Sequence, residues 1–90
     1  MEGINQEIRN RIRLSVAAWA YEFKDDPIMS DDEFDSLAKS INPNEKTGNR
    51  KLDNFFKKHF MPDTGMWIHK HPERNKLRYI YETYYRGEKK

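Results

Sequence analysis

Residues 27–41 read PIMSDDEFDSLAKSI, and how they are parsed decides whether the chain is built of helices. Ser30 followed three residues later by Glu33 is a capping box, in which each side chain accepts from the other residue's backbone amide at a helix start. Met29 just before the cap and Phe34 in the second turn have the spacing of a hydrophobic staple. Asp31 and Asp32 fall in the first turn, where the positive end of the helix dipole favours each carboxylate by about 0.3–1 kcal/mol. Leu37, Ala38 and Ile41 continue the apolar stripe that Phe34 begins, which predicts a helix over about 31–41. Asp35 alone is left without a structural role. It lies past the first turn, one turn beyond Asp31, so the two carboxylates share a face and repel weakly.

The same reading extends in both directions. Ile4, Ile8, Ile12, Val16, Trp19 and Phe23 recur at helical spacing and predict a first helix over about 4–24, which Asp25-Asp26-Pro27 ends. Asn42-Pro43-Asn44 ends the second. Beyond a connector containing Gly48, Leu52, Phe55, Phe56 and Phe60 predict a third helix over about 50–60 with Asn49 as its cap. Pro62 and Gly65 in MPDTGMW require a turn. Pro72 at a first-turn position, with Leu77, Ile80, Tyr81 and Tyr84 on one side, predicts a fourth helix over about 72–86. No segment alternates persistently. The expectation is an all-α, compact four-helix domain: a hairpin at about 4–42, two further helices that cover it, and no second domain within 1–90.

Composition bounds what such a domain can do. At 90 residues it buries a modest share of its surface, so function is expected on the surface rather than in a large internal cavity. The 13% aromatic content is too high for a disordered chain and implies a core built on rings. Without cysteine there are no disulfides, thiolate zinc sites or thiol nucleophiles. No apolar signal-like segment or membrane-length run is present, so the expected setting is the cytoplasm, with no membrane contact. The net charge of +2 hides an asymmetry: residues 25–41 carry six acidic groups and one basic, residues 42–90 six acidic and twelve basic. Either the two regions pair with each other, or the basic one meets a polyanion.

Tyr21, Asp25, Pro27, Asp31, Glu33, Phe34 and Asp35, in the run AYEFKDDPIMSDDEFDSL, resemble the N-terminal helical Ia domain of bacterial NAD-dependent DNA ligases over about residues 6–42. In that family a tyrosine and an Asp-x-Pro loop precede Asp-x-Glu-Tyr-Asp at the start of a second helix, and the domain closes over the nicotinamide mononucleotide (NMN) half of NAD without performing the chemistry. The resemblance implies a nicotinamide-side clamp from Tyr21, Asp31 and Asp35, flanked by Glu22 and Phe34, with NMN or NAD as ligand and no cofactor required. Glu22 stands where the family has histidine, and Phe34 where it has a second tyrosine. Lys51-Leu52-Asp53-Asn54 approximates the Lys-x-Asp-Gly motif of the ligase catalytic domain, but it ends in asparagine inside an amphipathic helix. No catalysis is expected from the chain.

Other constellations keep a rival reading open. Arg74, Arg78 and Arg86 interleave with Tyr81 and Tyr85 near the last helix, and Arg9 and Arg13 lie one turn apart on the first, a combination suited to phosphates and stacked bases. Met66 and Trp67 either plug the core or anchor a protein partner. His59, His69 and His71 lack the spacing of a metal site. Asp31 and Asp35 are not expected to act as an acid/base pair, because a chain this small is expected to lack a cleft around them. Two functions follow: a non-catalytic module that binds NMN or NAD or mimics the ligase domain that does, or a small phage-type regulator of a host protein or nucleic acid that keeps the hairpin as scaffold.

Overall fold

Ser15-Val16-Ala17-Ala18-Trp19-Ala20 is the run around which the molecule packs, and every one of its residues is buried. The structure, a computed structural model, describes residues 6–86, with side chains as far as Tyr85. Helix α1 (Gln6–Lys24) is central: α2 (Asp31–Ser40), a short 3-10 helix (Met66–Lys70) and α4 (Arg74–Ile80) all pack on it. Helix α3 (Arg50–His59) supplies Phe55 and Phe56 to the core, and α4 runs on into a π-helical segment (Tyr81–Arg86). The all-α, four-helix architecture is the expected one, and no described residue is in a strand.

The buried face of α1 differs from the predicted stripe. Ile8 is half-buried, Ile12 and Phe23 are 39% and 42% exposed, and Ile4 lies outside the described residues. Small residues at 15, 17, 18 and 20 let neighbouring elements approach α1 from several sides, so residues 14–20 are buried all round instead of along one stripe, while its last turn is mostly exposed. The fourth helix also departs from expectation. Its α-helical part begins at Arg74, two residues beyond Pro72, and the i→i+5 bonding from Tyr81 onward underwinds the chain. Tyr85 is therefore half-buried against the core, while Tyr84, predicted inward, is exposed. Between the third and fourth predicted helices, residues 66–70 form the 3-10 helix. It drives Trp67 and Ile68 into the core, where Trp67 meets Phe56 and Phe60 at centroid distances of 5.6 and 5.2 Å.

Helix α2 starts as its sequence demands. The Ser30 amide donates to Glu33 Oε1 at 3.0 Å, and the Glu33 amide donates to Ser30 Oγ at 3.1 Å. Ser30→Ala is expected to cost about 1 kcal/mol, read as a lower urea midpoint at unchanged slope. Asn49 caps α3 in the predicted way, its Oδ1 accepting from the Leu52 amide at 3.2 Å. Between these caps, Gly48 takes a φ of 96°, a region that suits glycine.

A polar hub fixes that connector. Arg11, 3% exposed, donates through Nε to Glu7 and through Nη1 to Asp53, each at 2.8 Å, and through Nη2 to the carbonyls of Asn42 and Glu45 at 2.8 and 3.1 Å. Glu7 accepts in turn from the Asn42 amide, and Asp53 accepts from the Thr47 amide and hydroxyl. Burial pushes the Asp53 carboxyl up, but Thr47 and then Arg11 outweigh it and hold it below its ordinary value. One guanidinium thus joins α1, the connector and the start of α3.

Candidate functional site

The C-terminal half of α1 and the start of α2 diverge, and a surface cleft of about 390 Å³ lies between them. Ala17, Ala18, Tyr21 and Glu22 line it from α1, and Asp31, Asp32, Phe34 and Asp35 from α2. The turn at 27–29 joins these walls, and Pro62 to Gly65 supply a third. Local sequence explains the divergence. Asp25 reverses the chain in a left-handed conformation with φ 52°, the Asp26 amide donates to the Ala20 carbonyl at 3.1 Å, and the Ser30 capping box then launches α2.

All five residues assigned to the nicotinamide side, Tyr21, Glu22, Asp31, Phe34 and Asp35, line this one cleft. The expectation that Asp31 and Asp35 lack a cleft is therefore corrected: the hollow forms at the surface between short elements, where no large core is needed. Tyr21 presents its ring at the lip, 57% exposed. Phe34 is half-buried, and its Cζ comes within 3.7 Å of the position a Cβ on Gly65 would occupy, so ring and loop meet in ordinary contact. The third wall was not foreseen. Pro62 and Gly65 announced a turn, but nothing local to 62–65 says which helices the turn will face.

The charge of the cleft is one-sided. Glu22, Asp31, Asp32, Asp35 and Asp63 line it, while none of its described lining residues is Lys, Arg or His. Glu22 is already engaged, its Oε1 lying 3.1 Å from His69 Nε2, and the His69 ring packs on Phe23 with centroids 4.9 Å apart. Asp35 meets Lys39 only loosely, at 3.9 Å between exposed groups, an arrangement that contributes little. Within the second half, Lys51 and Lys76 pair with Glu73, and Arg78 with Glu82.

The residues proposed for nucleic acid are placed differently. Arg9 and Arg13 are exposed on α1. Arg74 donates to the His69 carbonyl, and Arg78 lies 3.5 Å from Glu82. Tyr81 is no free stacking face: it is buried, donates to Asp26 Oδ2 at 2.6 Å and packs on Trp19 at 5.5 Å. Tyr85 is half-buried, and the side chain of Arg86 lies outside the described residues. Met66 is exposed as a protein contact would be, but Trp67 is a core residue, because the 3-10 turn points it inward.

Among the described residues no group of three or more His, Asp or Glu is placed to hold a metal ion. His71 is buried with its Nδ1 accepting from the Glu73 amide at 3.0 Å. No described helix is long and apolar enough to cross a membrane. No protein-family model matches the chain, and neither a curated protein nor a solved structure does.

Proposed function

We propose that the chain is a non-catalytic binding module whose acidic cleft receives the nicotinamide end of a nicotinamide nucleoside or nucleotide. The observation that supports this most directly is the convergence of Tyr21, Glu22, Asp31, Phe34 and Asp35 on one hollow. Its volume falls in the range of about 300–1,000 Å³ usual for small-molecule sites. Tyr21 offers a ring face to a flat ligand, and the carboxylates favour a cationic ring and accept from ribose hydroxyls.

The ligand's phosphate is the part this cleft disfavours. Five carboxylates and no described basic group line it, so an added phosphate meets repulsion without a donor to offset it. Nicotinamide riboside should therefore bind about tenfold more tightly than NMN at low salt, a difference of about 1.4 kcal/mol. Amide shifts centred on Tyr21 and Asp35, weakened by Asp35→Ala, are the expected response. No shift with riboside, NMN or NAD at millimolar concentration removes the proposal.

A second reading rests on the rim. Met61 and Met66, each next in sequence to a wall residue, are 57% and 58% exposed, so apolar side chains flank an acidic hollow. That combination suits a basic segment of a protein partner, and it is the form in which the regulator reading survives. The nucleic-acid version has less support, because Tyr81 and Tyr85 are committed to packing.

A further inference from the structure

A second hollow, of about 170 Å³, opens between the N-terminal half of α1, the start of α3 and α4. Six apolar side chains line it, Ile8 and Ile12 from α1, Leu52 and Phe56 from α3, Leu77 and Ile80 from α4, beside Thr47, whose hydroxyl donates to Asp53, and Asn49, which caps α3. Ser15 belongs to the same lining. Its side chain is 1% exposed, and its hydroxyl has no hydrogen-bond partner. A buried hydroxyl left unpaired is costly, so an occupant that could satisfy it would be favoured by more than contact area.

The charged groups of the lining are already engaged. Arg11 is held by Glu7, Asp53 and two carbonyls, and Glu73 pairs with Lys76 and Lys51. His71, also in the lining, is kept from protonating by its burial. Nothing here seeks a counter-ion, so the occupant is neutral. Size narrows it further, since an apolar hollow of about 150 Å³ accepts a single benzene ring.

We propose that this hollow is a binding site for a small neutral ring compound carrying one hydroxyl, of the phenol class, with its hydroxyl bonded to Ser15. The site is separate from the acidic cleft and does not depend on what the cleft binds. The apolar walls hold the ring, and the Ser15 hydroxyl selects for the polar atom.

Titrating the full chain with phenol and with toluene, followed by amide shifts, tests both halves. Phenol should move the amides of Ser15, Leu52 and Leu77 and bind about tenfold more tightly than toluene, the worth of one neutral hydrogen bond. In Ser15→Ala that preference should vanish while toluene binding persists, which also shows the variant to be folded. Ile12→Trp, a change at an already exposed lining residue, should block both compounds by filling the mouth. The proposal is overturned if phenol leaves these amides unmoved at about 10 mM, where even about 0.4 kcal/mol per heavy atom would half-fill the site, or if its preference over toluene survives in Ser15→Ala.

Discussion

Arg11→Met is expected to lower stability by about 3–5 kcal/mol, a large part of the roughly 5–15 kcal/mol that holds a domain of this kind together. Methionine keeps most of the volume, so the loss comes from what is left behind. Glu7, which is buried, and Asp53 would each lose the ion pair with Arg11, and the carbonyls of Asn42 and Glu45 would lose a donor. A lone buried salt bridge can often be replaced by apolar residues without loss. Here the triple change Glu7→Leu, Arg11→Met, Asp53→Leu should recover only part of the cost, because backbone groups of the connector depend on the same side chains. The Asp53 carboxyl is easier to ionise folded than unfolded, so its contribution is present above its ordinary pKa and is lost as pH falls through the lower folded value. Urea midpoints at pH 7 measure the loss. Equal midpoints for Arg11→Met and the parent would refute the hub's role.

The second large effect is acid destabilisation through His71. Burial pushes its pKa down from 6.5 to about 4, partly opposed by Glu73 and reinforced by Arg74. The ring is harder to protonate folded than unfolded, so the unfolded chain takes up the proton first as pH falls. The stabilising contribution is complete above about 6.5 and is lost on the way down through about 4, in all about 3 kcal/mol. His71 sits among rings, 5.0 Å from Phe55 between centroids, so His71→Phe is the natural comparison. The variant gives up the bond from the Glu73 amide, about 1 kcal/mol, and should be the less stable protein at pH 7 and the more stable one at pH 4. Stability curves that run parallel between pH 7 and 4 would refute this account.

What the sequence discloses depends on how local the cause is. The capping box at Ser30, the cap at Asn49 and the ends of α2 and α3 are set by contacts within a few residues, and they are where periodicity and capping put them. Arg11 was hidden among Arg9, Arg11 and Arg13, which look alike in sequence. Helical rotation puts the middle one inward, on the face of Glu7, Leu14 and Ala18, and two charged members in that stripe conceal its period. The run at 15–20 did carry a signal, its small residues, that close packing on several sides was coming. That Asp31 and Asp35 share one face of α2 was legible from their spacing, but the cleft they line was not, because its wall at 62–65 arrives from far along the chain.

The two irregular segments place opposite constraints on how the chain can vary over generations. The connector from 42 to 49 is measured out by one guanidinium, which grips two of its carbonyls and the aspartate just beyond it, so an inserted or deleted residue would misalign several bonds at once. The stretch from 61 to 65 is bracketed by Phe60 and Trp67, which pack against each other, and no buried charge measures its length. Indels there leave the α2 carboxylates in place and change the gap they face, along with the position of Asp63. The width of the proposed cleft would thus follow loop length, while most of its charge stays with α1 and α2.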